Sequence, residues 1–551
     1  MMKAKKIIAL MMGSTVLCGS VFSAVGCGRE QYDEKIDKTK TTLIVSNYEG
    51  GFGSEWLEED IKPKFEALFA NESFEKGKVG VQVLIDGNKT EGDNFDWSLT
   101  DASVAFNEKM TTTYLASMVA KGQLMPLNDV MTDILSQENV SLAADKMEIL
   151  KVFDGSTIYQ IPHYEGGGGI VYDKDVFNEY SLYLNKKGSW TNADGDLSVG
   201  ADGVEGTLDD GLPATYKEFF KMCERMGQNE ITPFIISGEW KTSYYTFLMN
   251  KAALAYNGIA DTKAYLYLDG TEASYVSNIQ DSDGYFGYDI VETTEAITPD
   301  NAYHFKQTAG RLYALEMLKK FIDEDWFDVG GWAQTTSHLD AQDIYLKSSK
   351  KNEPIAMLID GTWWENEATP VFDYMGSKNA NYKKSNRNFG WMPLPTKVDE
   401  NDTNTSVDSM ATLDHLNACV IVEAGLSEGL ARAAKEFVKF CYTEENLEAF
   451  TVRTGTTRAF SYKLSDEAYN QLTPYQKDVW KMHQAGMFVP ENSSSQFYLK
   501  NKAKVFSSVW QSEKYLNPLT KFDDNSNKTS ARTFFTSYKL TKDTWDKLVT
   551  K

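Results

Sequence analysis

The sequence predicts an α/β protein of two or more lobes, and three observations lead there. Strand-like apolar runs alternate with amphipathic helical runs along most of the chain, as βα units with largely parallel sheets do. At 551 residues the chain exceeds what one hydrophobic core ordinarily fills. Beyond the N-terminus no run is long and apolar enough to span a membrane, and no internal repeat is visible.

The elements follow in order. Lys3, Lys5 and Lys6 precede the apolar stretch Ile7–Leu17, and the segment closes on Ala24-Val25-Gly26-Cys27. Residues 1–26 read as a lipoprotein signal peptide. Cys27 then becomes the acylated, palmitate-bearing first residue of the mature chain, a lipid anchor that spans nothing. Residues 27–40 are polar and nearly free of aliphatic side chains, a linker between lipid and folded body.

TTLIVSN (41–47) and VGVQVLID (79–86) read as strands around an aromatic-rich helix that contains Pro63. TTTYLASMVAKG reads as a helix stopped at Gly122. Thr215 and Glu218 form a capping box, with Phe219, Cys223 and Met226 on one helical face behind it. ITPFIISG, PIAMLIDG (354–361) and NACVIVEAG (417–425) read as further strands. The stripes Leu312, Leu315, Leu318, Ile322 and Leu430, Ala433, Phe437, Phe440 read as helices.

Charge and cysteine usage narrow the function. With 79 acidic against 56 basic residues, the chain carries −23 and has no electrostatic footprint for nucleic acid. Anionic headgroups would repel it, so membrane contact falls to the lipid. The mature chain keeps Cys27, Cys223, Cys419 and Cys441 without a C-x-x-C. Buried thiols are the reading, with a single Cys419–Cys441 bridge left open.

Catalytic patterns are mostly missing. The glycine run at 166–169 lacks the Lys and Ser/Thr of a phosphate loop, and strand rather than helix follows it. There is no H-E-x-x-H and no G-x-S-x-G, and His163, His304, His338, His415 and His483 are scattered. In TNADGDLSVGADGVEGTLDDGLP (191–213), oxygen-bearing side chains crowd together at Asp194, Asp196, Ser198, Asp202, Asp209 and Asp210. This acidic insertion reads either as a structural calcium loop or as a solvated surface excursion. No other cofactor is required.

Aromatics give the stronger hint. Tyr48 and Phe52, Trp240 and Tyr244, and Trp363 and Trp364 all lie just past expected strands, where open α/β sheets bind ligands. Beside them stand Glu49, Glu165, Asp360, Glu365 and Glu367. Rings for C–H faces and carboxylates for hydroxyls suit a sugar.

The chain resembles the extracellular solute-binding lipoproteins of sugar ABC transporters, similar in plan to maltodextrin-binding protein. The resemblance rests on Cys27 and on GQLMPLNDV (122–130), IYQIPHYEGGGGIVYDKDVF (158–177) and GLPATYKEFFKMCERM. PIAMLIDGTWWENEA (354–368), FGWMPLP (389–395) and FVKFCYTEENLEAFTVRTGTTRAF (437–460) complete it. It implies a periplasmic-binding-protein-like fold of class II, two α/β lobes closing over a cleft. Crossovers fall near 162–168, 414–418 and 454–460. Residues 41–163 with 416–456 would form the N-terminal lobe, and 164–415 with 457–551 the C-terminal lobe. Residues 185–212 and roughly 259–300 look like additions.

The resemblance also implies a monomer without enzymatic activity that delivers oligosaccharide to permease subunits at the extracytoplasmic face. The site residues it implies are Tyr48, Glu49, Tyr164, Glu165, Trp363 and Trp364. Arg458 either contacts ligand or braces the lobes, and Gly166, Gly167, Gly168 and Gly169 act as a hinge. A surface glycoside-active enzyme using a carboxylate pair, and a sugar sensor or adhesion module, remain the alternatives.

Overall fold

The computed structural model describes residues 35–87, 92–97, 100–107, 110–348, 353–414, 418–502, 517–523 and 529–550. The signal segment, Cys27 and His415 lie outside them. The strands that matter for function are, in chain order, β1 (Thr41–Asn47), β2 (Val81–Asp86), β3 (Val104–Asn107), β4 (Ile161–Pro162) and β5 (Gly168–Asp173). They continue with β6 (Thr232–Ile235), β7 (Glu272–Asp281), β8 (Tyr288–Ala296), β9 (Ile355–Gly361), β10 (Phe389–Trp391), β11 (Thr412–Asp414), β12 (Cys419–Val422) and β13 (Phe488–Pro490).

Two sheets define two lobes. The first runs β2-β1-β3-β12-β4 and the second β10-β5-β9-β6. Neither is all parallel: β12 runs against β3, and β5 runs against β9. Both reversed strands lie inside their sheets, β12 between β3 and β4 and β5 between β10 and β9. Side-chain alternation covers both faces of each sheet. Leu43 and Val45 of β1 lie in one core with Ile44 in another, and Ile170 and Tyr172 of β5 flank Val171 in the same way.

Local signals explain most helices. Thr215 accepts from Glu218 N at 3.1 Å and completes the capping box of helix Tyr216–Gln228. Pro63 has no N–H to donate, and the turn ahead of it, Trp56–Ile61, is wound as a π-helix before helix Lys62–Leu68. Five helices position the site: α1 (Ala144–Leu150), α2 (Lys241–Tyr267), α3 (His338–Ser348), α4 (Trp364–Glu367) and α5 (Pro474–Gln484). Helix α2 is broken at Gly258, where φ is 83°. The antiparallel ribbon β7–β8 follows within the expected addition 259–300.

The lobes divide later than the sequence suggests. Phe460, Tyr462, Leu472 and Trp480, expected in the C-terminal lobe, pack in the core of the first sheet. In α5, Trp480 joins that core while Tyr475, Val479 and Met482 join the core of the second sheet. Helix periodicity produces the division, because residue 480 projects to a different side from 475, 479 and 482. Cys223, Cys419 and Cys441 are free and buried. No helix among the described residues is long and apolar enough to cross a membrane.

Candidate functional site

The carboxyl ends of the parallel strands face one another across the junction. In the first lobe β1, β2 and β3 are parallel and end at Asn47, Asp86 and Asn107. In the second, β6 and β9 are parallel and end at Ile235 and Gly361, where the antiparallel β5 begins at Gly168. The lobes touch at the tips of these loops. Asn366 Nδ2 donates to the Gly51 carbonyl at 3.1 Å, and Trp363 packs against Gly51 so closely that a Cβ there would stand 2.7 Å from its Cδ1.

Several expected residues line this cleft. Tyr48 is half-buried and Glu49 exposed, the latter accepting from Ser54 Oγ at 3.2 Å. Across from them Trp240 is exposed, and Tyr244 and Trp363 are half-buried. Phe247, which sequence reasoning missed, joins the row. Its ring lies 5.2 Å from Tyr244 and 6.2 Å from Trp363, centroid to centroid. Its spacing of three from Tyr244 on one helix was the available signal.

Others belong to the cores. Phe52 is 2% exposed and meets Tyr164 edge-on at 4.7 Å inside the first lobe. Trp364 is fully buried among Tyr345, Phe389 and Tyr475. It directly follows Trp363, and at about 100° per residue the neighbour points elsewhere.

Glu165 does not face a ligand either. It accepts from Lys146 Nζ of α1 at 2.5 Å, from Thr457 Oγ1 at 3.2 Å, and meets His483 Nδ1 of α5. Burial would raise its pKa, but Lys146 and His483 outweigh burial and hold it down at about 2. Asp414, on the second crossing, accepts from Gly166 N at 3.0 Å. Two carboxylates thus tie all three crossings together.

Arg458 braces rather than binds. Its Nη1 donates to the His163 carbonyl at 2.7 Å and meets His163 Nδ1, and its guanidinium lies 3.8 Å from the Phe450 ring centroid and 4.8 Å from those of Trp56 and Tyr442. Burial, then the Arg458 charge, push the His163 pKa well down, so the imidazole is neutral and its Nδ1 accepts. Lysine cannot reproduce the fork or the stacking. Arg458→Lys is expected to cost about 2 kcal/mol, read as a lower denaturant midpoint at unchanged slope.

The glycine run is closely packed. None of Gly166, Gly167, Gly168 and Gly169 has positive φ. A Cβ would meet Thr362 Oγ1 at 2.7 Å from Gly166, the Leu413 carbonyl oxygen at 2.4 Å from Gly167, Phe247 Cγ at 2.0 Å from Gly168, and Trp391 at 2.4 Å from Gly169. The run is glycine because backbone and rings approach it closely.

Behind the aromatic row lies a buried polar group. Gln342 Nε2 donates to Asp360 Oδ2 at 3.0 Å and to Glu367 Oε2 at 2.6 Å, and His338 Nε2 stands 3.4 Å from Glu367 Oε1. Burial, then Glu367, push Asp360 up to about 7. The bond to Glu367 raises His338. Gln342 and His338 were not among the expected site residues, since nothing local distinguishes them.

Hydrogen bonds and ion pairs occupy most of the carboxylates in the acidic insertion. Among the described residues no three His, Cys, Asp or Glu side chains come close enough to share a metal ion. Asp209 is buried and accepts from Ala201 N, Asp202 N, Thr207 Oγ1 and Ser409 Oγ. Asp202 and Asp210 accept from Val204 N and Gly206 N, and Asp196 pairs with Lys186 at 3.0 Å. Asp194 is exposed, and the Ser198 backbone pairs with Leu184 and Gly211. Backbone N–H groups of the loop thus donate to Asp202, Asp209 and Asp210.

Residues 55–448 match the family model of the bacterial extracellular solute-binding proteins. The chain belongs to that family. None of the curated proteins matches it. Among solved structures, this solute-binding protein is similar to a chitin oligosaccharide binding protein, at 15% identity and a TM-score of 0.51, over 92% of this chain and 99% of that one. It is similar also to a protein described with xylan utilization by the thermophilic bacterium Caldanaerobius polysaccharolyticus. That match has 13% identity and a TM-score of 0.51, over 90% and 99% of the two chains. At such identities the likeness shows the fold, two α/β lobes with mixed sheets. Tyr48, Tyr244, Phe247 and Trp363 lie at the facing strand ends of this fold.

Proposed function

We propose that this solute-binding protein captures carbohydrate between its lobes and passes it to the permease of an ABC importer, without covalent chemistry. The observation that carries the reading is the row Tyr244, Phe247 and Trp363, set at the carboxyl edge of the second sheet with Trp363 reaching Gly51 of the other lobe. Such rings stack on the C–H faces of pyranose rings, while carboxylates and amides beside them take hydroxyl protons. The oligosaccharide-binding protein among the fold's neighbours supports the same ligand class. Contacts that only the closed form can make, such as those between Trp363 and the 50–52 turn, supply the differential affinity that closes the cleft.

In this reading residues 1–26 are removed, the acylated Cys27 holds the protein at the extracytoplasmic face, and residues 27–40 space it from the lipid. The chain acts as a monomer.

The test is tryptophan fluorescence of the chain from residue 28 onward, titrated with a glycan panel. A saturable shift is expected with at least one glycan, without new reducing ends over hours. Trp363→Ala should weaken that binding about tenfold or more while the variant still unfolds cooperatively. Silence across the panel at millimolar concentration would remove the reading, and product formation would replace it with an enzyme.

A further inference from the structure

The turn after β1 reads Gly50-Gly51-Phe52-Gly53, and its glycines are there for different reasons. Gly50 and Gly53 have φ of 48° and 69°, where a side chain is strained whatever surrounds it. Gly51 is not in that region, so its own backbone accepts an ordinary residue. What a side chain there would meet is the other lobe. A Cβ on Gly51 would stand 2.7 Å from Trp363 Cδ1 and 3.0 Å from Trp363 Cβ and Cγ. Beyond its chain neighbours, no atom of its own lobe stands nearer than those.

The indole cannot make room. Cβ and Cγ lie at the root of the side chain, where a change of rotamer gains least. The far edge of the ring rests on its own lobe, for a Cβ on Gly361 at the end of β9 would stand 2.3 Å from Cζ2. Phe247 meets the ring edge-on, with centroids 6.2 Å apart at 84°, and a Cβ on Gly166 would lie 3.7 Å from Cε3. Trp363 therefore fills a slot walled by three glycines, one from its own sheet, one from the first crossing and one from the opposite lobe.

We propose that Gly51 sets how far the lobes close, as the position where added bulk holds the cleft open without disturbing either lobe. The inference rests on the reading above, in which the lobes close over carbohydrate, and names the residue that permits the closed form. Gly51 is a positioning residue and acts through Trp363. Folding and closure separate at this turn. Bulk at Gly361 or Gly166 would strike contacts made inside the second lobe or at a crossing. The clash at Gly51 exists only while the lobes touch, and a rotation that parts them removes it. Only the closed form is penalised, so a ligand that closes the cleft loses affinity by the same factor.

The experiment compares Gly51→Ala, Gly51→Val and Gly53→Ala by thermal melts, small-angle scattering and fluorescence titration. The probes are the glycan panel above, with the α-1,4 glucose trimer and the β-1,4 N-acetylglucosamine trimer among it. The parent chain is expected to contract on saturation with a glycan that binds. Gly51→Val should melt with the parent, bind that glycan about tenfold or more weakly, and keep the radius of the free form. Gly51→Ala should fall between the two. Gly53→Ala should instead lose a few degrees of melting temperature, from its strained φ. In a Trp363→Ala background, Gly51→Val should add no further loss of affinity, because the ring it strikes is gone. The proposal is overturned, and the carbohydrate reading stands, if Gly51→Val binds or contracts as the parent does. It is overturned likewise if Gly51→Val melts as low as Gly53→Ala, or if its penalty persists without the indole. If no glycan of the panel binds the parent, both fall together.

Discussion

Gly167→Val is expected to cost the protein 3 kcal/mol or more, roughly, and to abolish ligand binding at the growth temperature. The reason is what the new Cβ meets. At 2.4 Å stands the carbonyl oxygen of Leu413, and at 2.5 Å Thr412 Oγ1, both in β11. Leu413 is held in register with Val489 of β13, and the Thr412 hydroxyl donates to the Gly168 carbonyl at 2.7 Å. Backbone so pinned cannot retreat, so the first crossing must leave the second. Gly168→Val should be as severe, because Phe247 Cγ lies 2.0 Å from the added carbon. Gly166→Ala is the mild control: it meets the end of a single side chain, Thr362 Oγ1, at 2.7 Å. Thermal melts of the three variants check the order. Equal stability of Gly166→Ala and Gly167→Val would overturn the packing argument in favour of a loose hinge.

The second large effect belongs to Glu165. Replacing it with Gln takes the nearest counter-charge from the buried Lys146 and leaves only the more distant Asp414 and Asp145, and breaking a buried pair from one side costs about 3–5 kcal/mol. Its pH signature has a definite sign. The carboxyl pKa falls from 4.5 in the unfolded chain to about 2 in the folded one. The stabilisation is therefore fully present above about pH 4.5 and disappears as the pH drops toward 2. The depression corresponds to roughly 3 kcal/mol. Denaturant midpoints of the parent chain should decline across that window, and those of Glu165→Gln should lose this component of the decline. A parallel decline in both would show that the ion pair contributes nothing.

Local chemistry made much of the fold readable. The Thr215–Glu218 box, the stop at Gly122 and the strand at 41–47 lie where short-range signals put them. Helix α2 escaped because its side chains show no single apolar face over 27 residues and Gly258 interrupts it. Trp240 is exposed, and Tyr244 and Trp363 are half-buried at the end of the second sheet. The neighbouring Trp364 is core because one step along a turn changes which side a ring faces. Glu165 looked like a sugar ligand because its partners, Lys146 and His483, are remote in sequence and bury it only in the fold. The glycine run lies on the first crossing, and what makes it glycine there is remote in sequence. Its ordinary φ angles leave no local mark, and the crowding comes from residues 247, 391 and 413.

Helix α5 has a thermodynamic consequence. Because Trp480 completes one hydrophobic core and Tyr475, Val479 and Met482 complete the other, neither lobe can lose this helix alone without opening a cavity in both. Unfolding of one half removes a wall of the other, so the protein is expected to melt as a single cooperative unit despite its two sheets, with calorimetric and van't Hoff enthalpies equal. Fragments made by cutting the chain before Pro474 are then not two smaller domains but two incomplete ones, each missing part of its interior.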